Sequence, residues 1–564
     1  MLLLAGLVPP LAQGAETENT AAPKSSARLL ALDEKFRQTV TQFGDQAAVS
    51  AALKQRRADW QALLKSIEEI DPAKMTGDDH ATAAILYQRL GLPEESVPHA
   101  EAAVKKDPQS ELNRMLLVVT LVDNKQLDAA EAAYAAAAAA LPESKSVKQL
   151  LLRLSGAQLG TGSATKGTDH LISYLDAERR TLAPGVYLAR VDQLVNALRR
   201  AERAGEIPAR LESELAAIAA WAAAEPQAPL APVAAELTAR QVRYLAESGK
   251  MDEAQGLLKS ELAAAEKRLG EKPDDTTLAL VVIPLLETQL DLAKDGKAFA
   301  TAQASYLKFL AAVAQKHPQS ADAMRACLES PAAAISRLAT AERGDAATGL
   351  VEGVKTLLGE IKPEGTAAEQ AFLMSQEKIG QAAQRLKLEQ SHAALLGQDA
   401  VPLKPDDWVN GSPLTDEELR GKVVLLDFWA VWCGPCIATF PHLREWQEKY
   451  ADKGLVIIGV TNYYKYGWNA EQQRAEPVEG ITPEQERLAL EEFAKHHELK
   501  HRFAVMPEMS DFAEKYGVQG IPQVVVIDRQ GKIRLIKVGS GPENAEAIQT
   551  MLDRLLGDGA TPCK

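Results

Sequence analysis

The chain has 564 residues, which at roughly 150 residues per domain predicts several domains, or a repeat array joined to one compact domain. Hydrophobic residues make up 46% and charged residues 25% of the sequence, a globular composition that excludes wholesale disorder and a collagen-like fibre. The formal net charge of −14, with no basic block, argues against a nucleic-acid or anionic-membrane partner. Four cysteines are too few for a disulfide framework, but two of them lie three residues apart.

The first residues carry a short apolar run. Residues 2–11 are uncharged and have the length of a signal-peptide core, and small residues at 12–15 offer a cleavage site. A membrane span needs about 20 apolar residues, and no stretch of the chain approaches that length. We therefore expect a signal peptide over residues 1–15 and an exported, periplasmic or otherwise extracytoplasmic chain that is soluble. Because no basic residue precedes the run, a start further upstream and an ordinary hydrophobic helix in a cytoplasmic chain are the alternatives.

From residue 28 to about 396 the sequence is rich in alanine and shows apolar residues at helical spacing. The clearest stretch, 77–144, has a period of 34 residues, at which Pro108 recurs as Pro142. Three further pairs repeat at this offset: Ser96 and Ala130, Ala100 and Tyr134, and Ala103 and Ala137. This order resembles the tetratricopeptide repeat, which implies helical hairpins with a concave face for protein ligands. Since later helices follow no single period, we predict an irregular all-α solenoid that either binds a protein partner or acts as a spacer.

The pattern changes after residues 397–402, which we interpret as a linker. Five of the seven tryptophans lie beyond it, and apolar runs typical of buried strands occur for the first time. We predict strands at 423–429, 455–460, 524–528 and 532–538, and helices at about 434–452 and 483–498. The order βαβ followed by ββα predicts an α/β domain over 403–558, with helices on both faces of a mixed central sheet. Residues 559–564 are expected to form a disordered tail.

The segment Trp432-Cys433-Gly434-Pro435-Cys436 follows the first of these strands. Its spacing lets two sulfurs close a ring across one helical turn, and the first sulfur lies at a helix N-terminus, where unpaired N–H groups stabilise a thiolate. Cys433 would attack a partner disulfide, and Cys436 would displace the reduced partner and leave a Cys433–Cys436 disulfide. A zinc site needs a second ligand pair, which no nearby C-x-x-C or H-x-x-H supplies, and a chance pair of structural cysteines does not suit this context. We expect neither a metal nor a cofactor.

Asp427-Phe428-Trp429-Ala430, the cysteine segment and Gly520-Ile521-Pro522 together resemble the active site of thioredoxin. The longer frame is similar to the exported thioredoxin-like disulfide reductases of the TlpA/ResA type and their redoxin relatives. It covers about 160 residues, under a third of the chain, and the resemblance implies a thioredoxin fold for this part. Further matching residues are 414–424, Phe440-Pro441, 525–528 and 531–533.

The resemblance implies a chemical role for three residues. Cys433 would be the nucleophile and Cys436 the resolving thiol. Asp427 would be a buried carboxylate that exchanges a proton with Cys436, since burial raises the pKa of a carboxyl group toward neutrality. The alternative for Asp427 is a strand-end carboxylate in an ion pair.

The resemblance also implies a substrate-binding loop. Pro522, if its peptide bond is cis, would lie beside the sulfurs and leave the backbone of Ile521 free to pair with an extended substrate. Trp432 would flank the site, and Gly434-Pro435 would tune the reactivity of the two thiols. The alternatives are an ordinary loop proline at Pro522 and a packing role for Trp432.

Two departures from the exported reductases limit the prediction. Those proteins often carry glutamate where this chain has Thr439, and many have asparagine at the position of Asp427, so we do not commit to haem-apoprotein substrates. The stretch 462–488 is longer than a minimal thioredoxin connection. It carries Tyr463, Tyr464, Tyr466 and Trp468, for which we favour loop packing, with a substrate platform as the alternative.

The other cysteines and the histidines are not predicted to take part in catalysis. Peroxiredoxins resemble one another in a hydroxyl residue three positions before the reactive cysteine, and residues 430–432 supply none, so peroxidase activity is not favoured. Cys327 lies in an apolar setting and is interpreted as an inert core thiol, and Cys563 as a solvent thiol on the tail. Three histidines are interpreted as solvated surface: His496, His497 and His501.

The leading prediction is a thiol–disulfide oxidoreductase that reduces disulfides in protein substrates, because its Gly-Pro dipeptide resembles the reducing members of the family. An upstream dithiol, in solution or membrane-bound, would supply the electrons. The alternative is a helical scaffold whose thioredoxin-like module is a non-catalytic docking or redox-sensing unit.

Overall fold

The computed structural model describes residues 24–41, 46–160, 162–340, 343–470, 473–507 and 511–557. The predicted signal peptide and the predicted tail with Cys563 lie outside these residues. The chain divides into two compact units, residues 1–271 and 272–564. This division falls inside the predicted helical array, because the second unit contains the last helices of the array as well as the α/β domain.

The described part of the first unit is built from α-helices. Helix α3 ends at Gly91, whose φ of 82° is the left-handed conformation that favours glycine at a helix C-terminus. Helices α3 and α5 begin 34 residues apart, and so do α4 and α6. The repeated small residues Ala103 and Ala137 are fully buried, which allows neighbouring helices to approach closely. The helices are α1 (Ser25–Thr41), α2 (Gln46–Glu68), α3 (Gly77–Leu90), α4 (Pro93–Lys106), α5 (Glu111–Asp123), α6 (Leu127–Ala140), α7 (Lys145–Gly160), α8 (Ala164–Glu178), α9 (Pro184–Arg200), α10 (Ile207–Ala224), α11 (Ala231–Glu247) and α12 (Met251–Glu271).

The second unit begins with five further helices. Cys327 lies fully buried on one of them, and burial raises the pKa of its thiol to about 12, as expected of an inert core thiol. Among the described residues, no helix is both long enough and apolar enough to cross a membrane. The five helices are α13 (Thr276–Leu292), α14 (Gly296–Lys316), α15 (Ala321–Thr340), α16 (Gly344–Glu360) and α17 (Thr366–Leu395).

The α/β part of the second unit contains a six-stranded mixed sheet in the order β1-β6-β3-β2-β7-β8. Strands β2, β3 and β6 are parallel to one another, whereas β1, β7 and β8 each pair antiparallel with their neighbours. The predicted fold class is confirmed. The elements are β1 (Asp407–Val409), α18 (Asp416–Leu419), β2 (Val423–Phe428), α19 (Gly434–Ile437), α20 (Phe440–Tyr450), β3 (Leu455–Thr461), β4 (Tyr466–Asn469), β5 (Arg474–Pro477), α21 (Pro483–His496), β6 (Arg502–Val505), α22 (Phe512–Lys515), β7 (Gln523–Ile527), β8 (Ile533–Val538) and α23 (Pro542–Leu556).

Several details differ from the sequence-based expectation. The helix predicted over 434–452 is two helices, α19 and α20, with Pro441 in the first turn of the second. Strands β1 and β6 and the separate hairpin β4–β5 had no counterpart among the predicted elements. The hairpin occupies part of the long stretch 462–488.

Strand β2 lies in the middle of the sheet and is buried on both faces. All six of its residues are buried, which explains why the strand reads as a continuous apolar run. Leu425 and Trp429, which follows the strand, belong to the core that also holds Cys433 and Cys436, whereas Leu426 and Phe428 belong to the core on the opposite face. The strand therefore separates two apolar layers and ends directly before the cysteine segment.

The predicted linker 397–402 pairs with the α/β domain. The N–H groups of Gly397 and Ala400 donate to the carbonyl oxygens of Ile533 and Gly531, each at 2.8 Å. The N–H of Val401 donates to the hydroxyl of the fully buried Tyr516 at 3.0 Å. These residues are therefore part of the packed structure and not a free connection.

Two of the histidines interpreted as solvated surface are not. His501 is buried, with its ring 5.5 Å from that of Phe503, and burial lowers the pKa of its imidazole to about 4. The ring of His497 lies 4.4 Å from that of Phe493, and burial lowers its pKa to about 4 as well. The prediction was wrong because contacts with β6 and α21 bury these rings, and a polar local sequence does not reveal such contacts.

Replacing Tyr516 with phenylalanine tests the attachment of the predicted linker. Tyr516→Phe removes the acceptor of the Val401 N–H and should lower the free energy of unfolding of the α/β domain by about 1 kcal/mol. Urea unfolding followed by tryptophan fluorescence measures this, because five of the seven tryptophans lie beyond residue 402. Tyr466→Phe is the control, since that hydroxyl has no hydrogen-bond partner among the described residues. Equal losses in the two variants would contradict the prediction.

Candidate active site

The two cysteines of the Trp432–Cys436 segment lie where strand β2 gives way to helix α19. Cys433 is the residue before the helix, and Cys436 lies within it. Their Sγ atoms form a disulfide with a sulfur–sulfur distance of 2.04 Å and a Cα–Cα distance of 5.3 Å. The spacing of three residues therefore brings the sulfurs together as the sequence predicts.

The two sulfurs differ in their surroundings. Cys436 is fully buried, whereas Cys433 retains 4% exposure, and the next two residues, Gly434 and Pro435, are exposed. The N–H of Cys436 points at the Sγ of Cys433 at 3.2 Å. A donor in this position favours the thiolate of Cys433 once the disulfide is reduced. Cys433 thus keeps a small exposed fraction next to two exposed residues, whereas Cys436 is fully enclosed.

Asp427 is fully buried and is the last residue but one of β2. It lies between Gly459 of β3 and Val524 of β7 in the sheet register. Because side chains alternate along a strand, Asp427 faces the same side of the sheet as Leu425 and Trp429, the side that holds the cysteines.

The carboxyl group of Asp427 has no polar partner among the described residues. Neither carboxyl oxygen accepts a hydrogen bond, and the group forms no ion pair there. Burial raises its pKa to about 7, far above the usual value of about 4. The alternative of a strand-end ion pair is therefore wrong, and near neutral pH the group exists in both protonation states.

The loop before β7 reaches the same end of the sheet. The peptide bond between Ile521 and Pro522 is cis, and Gln523, the next residue, pairs with Phe428 at the end of β2. Ile521 is half-buried and packs against the core that contains both cysteines. Its backbone N–H and carbonyl make no hydrogen bond with the described residues, so they are available to an extended chain.

Trp432 flanks the cysteines on the surface. Its side chain is 52% exposed, although the neighbouring Val431 and Cys433 are buried. The edge of one ring faces the other between Trp432 and Tyr464, with centroids 5.7 Å apart and an interplanar angle of 82°. The aromatic stretch after β3 therefore extends to the cysteine segment.

Glu486, which was not among the predicted site residues, holds this aromatic stretch in place. The Oε1 atom of Glu486 accepts hydrogen bonds from the N–H groups of Tyr464 and Tyr466, at 2.5 and 3.1 Å. The contact joins residues about 20 positions apart, on a loop and on α21, and no local pattern in the sequence marks it. No group of three or more His, Cys, Asp or Glu side chains that could hold a metal ion occurs among the described residues.

Comparison with known proteins finds relatives of this part of the chain. Residues 398–552 match the Redoxin family. Thiol-disulfide oxidoreductase ResA of Bacillus thuringiensis subsp. konkukian is 25% identical over 160 residues, which are 28% of this chain and 78% of that protein. Protein DipZ of Mycobacterium tuberculosis is 30% identical over 155 residues, which are 27% of this chain and 19% of that protein. The crystal structure of a thiol-disulfide isomerase from Corynebacterium glutamicum aligns with 28% of this chain and 96% of that one, at 25% identity and a TM-score of 0.23.

The pKa of Asp427 predicts how stability depends on pH. The unfolded chain releases this proton near pH 4, whereas the folded disulfide form holds it until about pH 7. The folded state therefore binds more protons over this interval, and the free energy of unfolding should fall as pH rises, by up to about 1.4 kcal/mol per pH unit from this group. The asparagine side chain of Asp427→Asn cannot ionise, so the free energy of unfolding of this variant should lack this dependence on pH.

Urea denaturation of the wild type and of Asp427→Asn at pH 5, 6, 7 and 8 measures the difference. The variant should gain stability relative to the wild type up to about pH 7, and the gain should then level off. Parallel pH profiles for the two proteins would contradict the raised pKa.

Proposed function

We propose that this chain, whose residues 398–552 form a TlpA/ResA-type thioredoxin-like domain of the thiol–disulfide oxidoreductases, reduces disulfides in protein substrates. The observation that carries the proposal is the Cys433–Cys436 disulfide, in which Cys433 keeps 4% exposure beside the exposed Gly434 and Pro435 and Cys436 keeps none. A structural disulfide has no need of an N–H donor aimed at the less buried of its two sulfurs. The difference in burial between the two cysteines favours a disulfide bond that forms and breaks during a reaction.

In the proposed reaction the reduced pair transfers two electrons to the substrate. The thiolate of Cys433 attacks one sulfur of the substrate disulfide, that bond breaks, and the departing substrate thiolate takes a proton from water. Cys436 then loses its proton and attacks the sulfur of Cys433, which releases the second substrate thiol. The chain is left with the Cys433–Cys436 disulfide, and an upstream dithiol reduces it for the next cycle.

Asp427 suits the proton transfer in the second step. A carboxyl group with a pKa of about 7 can take the proton from Cys436 during resolution and return it when the pair is reduced again. Its position on the cysteine side of β2 and its lack of any other polar partner among the described residues support this role.

We further propose that the helical array binds a protein partner or spaces the domain from one, outside the cytoplasm. The 34-residue offset between helical hairpins and their closely packed small residues support a repeat-like surface for protein ligands. The location rests on the apolar run at residues 2–11, which lies outside the described residues.

Reduction of insulin in the presence of dithiothreitol tests the catalytic proposal. The full chain should accelerate the reaction, and Cys433→Ser should lower the rate to that of dithiothreitol alone, because no nucleophilic sulfur remains. Cys327→Ala is the matched control, since it removes a buried cysteine outside the site. Equal rates for Cys433→Ser and the wild type would sink the proposal and favour a non-catalytic docking or redox-sensing module.

Replacing the resolving cysteine should trap the reaction at its first step. Cys436→Ser should accumulate mixed disulfides between Cys433 and its protein substrates in cells. Non-reducing electrophoresis followed by mass spectrometry identifies them. Cys433→Ser is the control, and the same adducts in that variant would place the nucleophile elsewhere.

Replacing the buried carboxyl group should slow resolution. Asp427→Asn should lower the rate of mixed-disulfide resolution at pH 7 by about 100-fold or more, because Cys436 loses its general base. Stopped-flow tryptophan fluorescence separates this step from the first attack, whose rate should change much less. Equal slowing of both steps would argue for a structural role of Asp427.

A further inference from the structure

An aromatic pair, Trp432 and Tyr464, borders the reactive sulfur. Trp432 precedes Cys433 in the chain and exposes about half of its side chain, whereas Cys433 exposes 4%. Tyr464 is half-buried and meets Trp432 edge to face. A substrate whose sulfur reaches Cys433 must therefore bring its neighbouring residues close to this pair.

Buried anchors hold the backbone of Tyr464 in place. The carboxylate of the buried Glu486 accepts the N–H of Tyr464 and that of Tyr466. On the preceding residue, the hydroxyl of Tyr463 donates to Asp407 of strand β1 at 2.7 Å. Because one side-chain oxygen of Glu486 accepts both N–H groups, it fixes two points of this turn.

All four aromatic residues of the stretch pack against the core that contains both cysteines. The ring of Trp468 also lies 6.2 Å from that of Phe493 and 5.2 Å from that of His496, both on helix α21. Tyr463 donates its hydroxyl to Asp407. Of the four, Tyr464 is the one with a ring contact to the cysteine segment among the described residues. This contact with Trp432 is what distinguishes Tyr464 from the other three.

We propose that Trp432 and Tyr464 form a docking surface for the polypeptide that carries the substrate disulfide, and that this surface prefers an aromatic side chain next to the substrate cysteine. The inference rests on the proposed function and names the substrate class of the same site. The surface is continuous with Cys433, which the substrate sulfur must touch, so its occupant is the substrate chain. An aromatic side chain gains burial and ring contacts there, whereas a small polar one gains neither.

The two residues behind this surface act differently. Tyr464 would touch the substrate and determine specificity. Glu486 is a positioning residue, because it acts through the backbone of Tyr464. Both backbone N–H groups donate to the same oxygen of Glu486, so glutamine retains an acceptor at this position and alanine removes it.

Two peptide substrates test the preference. They are identical except for phenylalanine or serine before the single cysteine, and each is joined by a disulfide to glutathione. With the full-length wild type and dithiothreitol as the electron donor, the phenylalanine peptide should have a KM about fivefold lower than the serine peptide, with similar kcat values. Tyr464→Ser should bring the two KM values within about twofold of each other, whereas Tyr464→Phe should retain the difference because it keeps the ring.

The second pair of variants tests the anchor. Glu486→Ala should lose most of the KM difference through disorder of the Tyr464 turn, and Glu486→Gln should retain most of it. Val538→Ser is the surface control, since it replaces a partly exposed residue of β8 and should retain the wild-type difference in full.

The outcomes separate the two proposals. Equal KM values for the two peptides with an active wild type would overturn the docking surface alone, and this comparison needs no variant. A KM difference that survives in Tyr464→Ser would overturn the role of Tyr464. If the wild type reduces neither peptide and also fails to reduce 2-hydroxyethyl disulfide, the proposed function is wrong and the docking surface is wrong with it.

Discussion

The antiparallel pairing of β2 with β7 is the constraint on which the active site depends. It sets Phe428, the last residue of β2, opposite Gln523, the first residue of β7. The chain leaves β2 toward Cys433 and enters β7 from Pro522, so the cysteine segment and the cis-proline loop meet at one end of the sheet. Residues about 90 positions apart in the sequence are placed by a register that the apolar side chains of both strands fix.

The same strand carries Asp427, the carboxyl group for which we propose the proton transfer. A central strand that is buried on both faces keeps water away from an acidic side chain. Among the described residues, no hydrogen-bond donor or cation takes the place of that water at Asp427. The sheet therefore holds a carboxyl group whose neutral form is favoured, and its pKa of about 7 follows from burial alone. An ion-paired aspartate would stay charged and could not take a proton near neutral pH. The lack of a polar partner among the described residues is thus what suits this carboxyl group to the proposed proton transfer.

The parts of this domain that could be predicted from sequence are those with a local signal. Strands β2, β3, β7 and β8 are continuous or alternating apolar runs, and the cysteine pair is defined by its own spacing. The resemblance to TlpA/ResA-type thioredoxin-like proteins is confirmed for residues 398–552. Strand β1 has three residues, of which Val409 alone is buried, so it leaves no pattern. The burial of His501 and the contact of Glu486 with the Tyr464 turn depend on partners distant in sequence.

The end of the helical array also bears on the active site. His392 of α17 lies with its Nε2 atom 2.9 Å from the carbonyl oxygen of Gly517, in the segment that leads to Ile521 and Pro522. Gly517 has a φ of 63°, and a Cβ atom there would come within 2.9 Å of the His392 ring, so this position favours glycine on both grounds. A second hydrogen bond, from the N–H of Val401 to the hydroxyl of Tyr516, joins the residues that follow α17 to the segment that contains Gly517. The last helix is therefore bonded to the segment that leads into the cis-proline loop, and residues that precede the thioredoxin-like strands hold that segment in place.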